Sequence, residues 1–172
     1  MRLSGILMHI TSLPSPYGVG TMGNEAYRFV DFLKKAGQSF WQVLPVLTTG
    51  YGDSPYQSFS TFAGNPYLID LDMLADDGLL MKEEYETADF GEDPGKVDYG
   101  KLYENRLPLL RKAFERGKQS DITGFLDFCE RNKYWIDDYS LYMALKTHFK
   151  GVSYHEWPAD IRHREPAALE TY

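Results

Sequence analysis

Residues 40–47, Phe40-Trp41-Gln42-Val43-Leu44-Pro45-Val46-Leu47, are an apolar run that reads as a buried strand. Working upstream, Ala26, Phe29, Val30 and Leu33 recur at helical spacing, which predicts an amphipathic helix over residues 24–36. Asn24 is its expected N-cap. Lys34 and Lys35 suit the negative end of the helix dipole, and Gly37 suits the left-handed residue past the end. Ahead of that helix, Ser4-Gly5-Ile6-Leu7-Met8-His9-Ile10 is apolar nearly throughout and reads as a first strand buried on both faces. Strand, helix and strand at this spacing make a βαβ unit, so the two strands are expected to be parallel.

Downstream of the strand the chain becomes a loop: Gly50-Tyr51-Gly52-Asp53-Ser54-Pro55-Tyr56-Gln57-Ser58-Phe59-Ser60-Thr61-Phe62-Ala63-Gly64-Asn65-Pro66-Tyr67. Its Gly, Pro, Ser and Asn content excludes helix and regular strand. Yet it carries Tyr51, Tyr56, Phe59 and Phe62 among hydroxyls and amides, which is more aromatic surface than a solvated loop needs. Flat rings beside hydrogen-bonding groups, at the carboxyl end of a strand, suit a sugar cleft. A pyranose presents apolar C–H faces that stack on aromatics and a hydroxyl rim that needs donors and acceptors.

The remaining chain turns helical. Leu68-Ile69-Asp70-Leu71 reads as a short strand, 73–80 as a short helix broken near Gly78, and 82–100 as an acidic loop. Helices follow over about 102–116, 122–131 and 134–149. In the first of these, Pro108 must sit in a first turn or make a kink. Asp121 is the expected cap of the second, and the third places Trp135, Tyr139, Tyr142, Met143 and Leu145 on one broad face. Residues 151–172 read as loop with a closing helix. Two parallel strands do not make a stable sheet alone, so either the helices complete a small α/β domain or the sheet continues past Tyr172.

The bulk numbers narrow the function classes. The chain has 172 residues, 43% hydrophobic, 25% charged and 15% aromatic, with a net charge of −7. That length suffices for a domain with a real core. The acidic balance shows no basic face for nucleic acid, and no apolar run approaches the ~18 residues of a membrane span. The first residues have no charged segment followed by a long apolar one, so no signal peptide is expected. A lone Cys129 leaves no disulfide framework and reads as a buried core thiol in a reduced, cytoplasmic compartment.

Gly18-Val19-Gly20-Thr21-Met22-Gly23 matches the G-x-G-x-x-G dinucleotide pattern between strand and helix. Two features oppose a nucleotide site. Thr11 to Tyr17, with two prolines, separates strand from glycines, and the next strand ends Leu44-Pro45-Val46-Leu47 with no acid for ribose hydroxyls. His9 ends the first strand and is either a site residue or a histidine buried for its hydrogen bonds. His148, His155 and His163 lack metal-ligand spacing and are expected at the surface. Asp53 is either a turn residue or a holder of sugar hydroxyls. No second acid pairs with it as glycoside chemistry requires; Asp70 and Asp72 read as strand-end and cap residues, and Asp137-Asp138 as a solvated face.

Beyond these readings, Ser4 through Pro14, Tyr17-Gly18-Val19-Gly20, Trp41-Gln42-Val43-Leu44-Pro45 and Gly50 through Tyr67 closely resemble the amino-terminal part of the amylomaltases. These are the 4-α-glucanotransferases (disproportionating enzymes) of glycoside hydrolase family 77. The likeness continues through Val97-Asp98-Tyr99-Gly100, Phe125-Leu126-Asp127-Phe128-Cys129, Asp137-Asp138-Tyr139, Trp157-Pro158 and Arg164-Glu165-Pro166. It implies an α/β fold, the amino-terminal portion of a (β/α)₈ TIM barrel with a mainly helical insertion. The barrel would be incomplete here, since it needs about 250 residues. Residues 1–72 would be the first βα units with the glucan-contact loop, and 73–172 the helical insertion and the connection onward.

The resemblance implies transfer of α-1,4-glucan segments between maltooligosaccharides or starch-type glucans by a retaining double displacement, with no cofactor and no metal. The Asp nucleophile, Glu acid/base and stabilising Asp of that chemistry belong to later strands, beyond Tyr172. The 172-residue chain alone is therefore expected to be inactive, and the rest of the barrel is its expected intrachain partner. By resemblance, Tyr51, Asp53, Ser54 and Tyr56 are substrate-binding positions, Tyr56 at the donor-side sugar and Tyr51 further out; the bland alternative is that the tyrosines brace the loop. A non-catalytic glucan-binding module is the rival function, and a nucleotide-dependent oxidoreductase the third.

Overall fold

The computed structural model describes residues 2–171. It separates into two compact units, Met1–Ile122 and Thr123–Tyr172.

The first unit contains the βαβ unit. Strands β1 (Gly5–Leu7) and β2 (Phe40–Gln42) pair in parallel, with Ile6 opposite Trp41. Helix α1 (Asn24–Lys35) connects them, and Gly37 adopts the expected left-handed conformation beyond its end. Gly23, not Asn24, is the N-cap; Asn24 is already the first helical residue. The face of α1 that carries Phe29 packs on Trp41, with the rings 4.9 Å apart and near perpendicular. Trp41 Nε1 also donates to the Met8 carbonyl. Around this contact Ile10, Leu13 and Leu68 form a small core.

Three expectations need correction here. The first strand is not buried on both faces: all of β1 is exposed, Leu7 by 60%. With two strands in the sheet, little covers the outward side chains. The second strand is shorter than 40–47, since pairing with β1 stops at Gln42. Residues 68–71 form no strand. Pro66–Leu68 is a 3₁₀ turn, and helix α2 (Leu71–Asp76) starts after Asp70, whose carboxylate accepts from Met73 N at 3.0 Å. A proline-preset turn followed by an acidic N-cap outweighs a four-residue apolar run.

The main core of this unit lies under α2. Leu71, Leu80, Tyr85, Phe90, Leu102, Leu109 and Ala113 are buried there with Tyr17 and Val19. Tyr17 and Tyr85 meet edge to face at 5.2 Å, and both hydroxyls donate to Asp72 Oδ1 at 2.8 Å. Asp72 thus ties the loop after β1 to the residues after α2. Helical structure runs from Tyr99 to Gly117 in three segments: α3 (Tyr99–Lys101), a π turn (Leu102–Arg106) and α4 (Leu107–Gly117). Pro108 lies in the first turn of α4. It brings no N–H and crowds the carbonyl four residues back, and the wide π turn just before it accommodates both defects.

Glu84 braces this core from outside. Its carboxylate accepts two bonds from Arg116, at 2.5 and 2.8 Å, and one from Met81 N, with Lys112 at 3.0 Å. Arg116, then the Met81 amide, hold its carboxyl well below the usual range. A carboxyl depressed on folding stabilises the fold above its unfolded pKa and loses that effect as pH falls toward the depressed value. Glu84→Gln should therefore lower Tm at pH 7, with the gap to wild type narrowing below about pH 4. A gap constant from pH 7 to pH 3 would contradict this; differential scanning fluorimetry reads it.

The second unit is helical. It contains α5 (Thr123–Arg131), α6 (Lys133–His148), α7 (Ala159–Arg162) and α8 (Pro166–Leu169). Helix α5 begins at Thr123, two residues after Asp121. Leu145, Trp157, Ile161 and Ala168 make its core, with Tyr142 and Phe149 against Trp157. Of the broad face expected on α6, only Leu145 is fully buried. Cys129 is half-buried rather than a core residue. His148, His155 and His163 are exposed, as expected, and exposed Asp138 pairs with Arg164 at 2.6 Å.

Candidate functional site

The loop after β2 is closed at its base and again at its tip. An antiparallel bridge between Leu47 and Gly64, with Thr48 N donating to Ala63 O and Asn65 N to Val46 O, joins the two ends. Farther out, Gly50 N donates to Gln57 O at 2.8 Å. Between these closures the serines replace secondary structure. Ser60 Oγ accepts from the amides of Phe62 and Ala63, and Ser58 Oγ donates to Ser60 O at 2.6 Å. Such side-chain bonds satisfy backbone groups that no ladder reaches. The loop is thus a defined structure rather than a slack connection.

Tyr51, Asp53, Ser54 and Tyr56 all lie in the tip that the Gly50–Gln57 bond closes. Tyr51 is fully exposed and Tyr56 is 73% exposed. Ser54 carries two jobs within the turn: its Oγ accepts from Tyr56 N at 3.3 Å, and its carbonyl accepts from Gln57 N. Phe59 and Phe62 are also partly exposed, so the loop presents aromatic surface on a polar backbone.

Asp53 faces differently. It is half-buried and takes a left-handed conformation, φ 54°, as acidic turn residues do. Burial raises its pKa, opposed by Thr49, whose hydroxyl donates to Asp53 Oδ1 at 3.5 Å. Its charge is felt by Tyr67 and Tyr99, whose rings lie 6.1 Å apart. Burial first, and Asp53 next, push Tyr67 up to about 12. Asp53 thus lies in the tip with its charge within reach of a tyrosine pair, a relation that sequence spacing does not reveal.

Two further polar side chains carry buried nitrogen atoms. His9 is half-buried; burial lowers its pKa, and its Nδ1 has no hydrogen-bond partner among the described residues. Arg106 is fully buried, and its guanidinium donates to the carbonyls of Ile69 and Tyr17 at 2.5 and 3.4 Å. The signal for Arg106 was present in the sequence: it occupies the buried stripe of Leu102, Leu109 and Ala113 at helical spacing.

The glycine pattern has a structural role. The Asp70 carboxylate, which accepts from the Thr21 hydroxyl, lies against Gly23 at the start of α1, where a Cβ would collide with it. A carboxylate at that helix end occupies the place that a pyrophosphate would need and repels it. A separate open recess of about 790 Å³ is walled by Pro14, Pro16, Glu25, Glu92 and Asp93 and includes no residue of the 50–67 loop.

The family model described as 4-alpha-glucanotransferase, Glyco_hydro_77, matches residues 8–172. The chain belongs to this family. It is 50% identical over 165 residues to the 4-alpha-glucanotransferase of Clostridium butyricum, covering 96% of this chain and 34% of that protein. It is 51% identical over 172 residues to the Thermus thermophilus enzyme, covering 98% and 33%. The chain thus spans about a third of the length of the curated relatives it matches. Among solved structures, an amylomaltase from Streptococcus agalactiae in complex with acarbose superposes with a TM-score of 0.95 at 47% identity, over 100% of this chain and 35% of that one. The shared fold thus extends along the whole of this chain, residues 50–67 included. No helix among the described residues is long and apolar enough to cross a membrane.

Proposed function

We propose that this chain is the amino-terminal part of a cytoplasmic 4-α-glucanotransferase that transfers α-1,4-glucan segments between maltooligosaccharides or starch-type glucans. In this reading β1, α1 and β2 are the first units of a (β/α)₈ barrel, and residues 73–172 supply a mainly helical insertion. The observation that carries the site is the exposure of Tyr51 and Tyr56 on a loop whose backbone is held at both ends, in a chain of this family. A rigid mount keeps an aromatic platform in place, so little conformational freedom is lost when a sugar docks.

The reaction is a retaining double displacement. The nucleophile, the acid/base and the stabilising carboxylate come from the protein outside residues 1–172, and no cofactor or metal takes part. The segment described here contributes a wall of the cleft: Tyr56 against the donor-side sugar, Ser54 and Asp53 along the same edge, and Tyr51 farther along the glucan. Incubating the full-length protein with maltotriose tests the reading. Glucose together with maltooligosaccharides longer than maltotriose is the expected product set. Binding of maltoheptaose without any redistribution of chain length would instead identify a non-catalytic glucan-binding module.

The outer position of Tyr51 has its own consequence. A residue that meets only the far part of a glucan affects long acceptors and donors more than short ones. Tyr51→Ala should raise KM for maltoheptaose about 3- to 10-fold, the scale of one lost ring contact, and leave maltotriose nearly unchanged. Equal changes for both sugars would mean that Tyr51 braces the loop. Steady-state kinetics with the two sugars decides.

A further inference from the structure

We propose that Arg106 is the positioning residue of the glucan-contact loop, a buried cation that anchors the loop's base to the helical core. This rests on the functional reading above and adds to it a residue remote from the exposed tip. Two observations converge on it. First, the guanidinium is fully buried and has no ion-pair partner among the described residues; its Nη1 and Nη2 donate to backbone carbonyls, and its Nε has no hydrogen-bond partner there. A buried charge that bonds only main chain fixes the main chain, because moving either carbonyl would leave a donor unsatisfied in a place water does not reach.

Second, one of the two carbonyls belongs to the segment by which the loop leaves, and the other ties in the connection after β1. Ile69 stands directly after the 3₁₀ turn Pro66–Leu68 through which the loop leaves, and Tyr17 lies in the connection between β1 and α1. Asp70, the next residue, adds a favourable field and is itself immobilised by Thr21 and by its cap on α2. The π turn that ends at Arg106 belongs to the same helix that Pro108 distorts, so the anchor sits where that helix departs from regular geometry.

The test is a double-mutant cycle in the full-length enzyme, with KM and kcat for maltotriose measured well below the Tm of each variant. Arg106→Met should raise KM about 5- to 20-fold with kcat within about 2-fold, since the anchor places binding groups rather than reacting ones. Arg106→Lys, which keeps the charge but loses the fork, should raise KM only about 2- to 5-fold. In a Tyr56→Ala background both effects should shrink below 2-fold, because the group being positioned is gone. A purely structural arginine would give effects that multiply with Tyr56→Ala. Such multiplication, or an unshifted KM in Arg106→Met, overturns the proposal. If Arg106→Met does not fold, Arg106→Lys decides alone, and a wild-type KM in that variant overturns it. An inactive wild-type enzyme would remove the function and this inference together, whereas an active one with unshifted variants removes only the inference.

Discussion

Tyr56→Ala in the full-length enzyme is expected to lower kcat/KM for transfer from maltotriose by roughly 5- to 150-fold, equivalent to about 1–3 kcal/mol of stacking and hydrogen bonding. A ring 73% exposed contributes little to the stability of the fold, so its removal should leave Tm within about 1 °C of wild type. The backbone around it is held by other groups: Ser54 Oγ bonds the Tyr56 amide, and Gly50 N bonds Gln57 O. Alanine keeps both bonds. Any large loss of activity must then come from contacts that the ring makes to a ligand. Wild-type kcat/KM in this variant would remove Tyr56 from the site, and a large fall in Tm would assign it to bracing.

Leu71→Ala provides the opposite pattern. Leu71 is fully buried in the core beneath α2, among Leu80, Tyr85, Leu102 and Leu109. Truncating it removes transfer free energy and leaves a cavity that surrounding rings cannot readily fill, which costs about 2–5 kcal/mol. Loss on that scale should lower the Tm of the full-length protein by several degrees, read by calorimetry. Because α2 begins one residue after Asp70, the damage should also loosen the base of the loop. Activity at low temperature should fall less than stability does. A Tm unchanged within 1 °C would show that this core does not carry the segment. The two variants together separate the ligand-facing surface from the scaffold that supports it.

The sequence made the βαβ unit legible because each of its signals is local. Helical spacing in α1, the lysines at its end, Gly37 and the apolar runs on either side all depend on neighbouring residues. Strand lengths were not legible in the same way. The run from Ser4 to Ile10 looks doubly buried because such runs are usually covered, yet β1 is open on this segment of chain. Leu68-Ile69-Asp70-Leu71 misled for the converse reason. Its apolar residues do enter cores, Leu68 beside Ile10 and Leu71 beside Leu80, but from a turn and a helix.

The same distinction applies to the candidate site. The aromatic, hydroxyl-rich character of residues 50–67 was visible in composition alone. The double closure of the loop was not, because it depends on Leu47 meeting Gly64 and Gly50 meeting Gln57 in space. Asp53 could be singled out as a loop carboxylate, but its half-buried position near Tyr67 and Tyr99 required the fold. Arg106 lay in plain view within a helical stripe of leucines, and only the contacts to Ile69 and Tyr17 show why a cation stands there.

The measurement that addresses the central claim most directly is amide hydrogen exchange of the full-length protein with and without saturating maltoheptaose. If residues 50–62 form a wall of the glucan cleft, peptides covering them should exchange more slowly in the presence of the sugar, while those covering α5 should not change. Protection elsewhere in the protein, with residues 50–62 exchanging at the same rate in both conditions, would contradict the account.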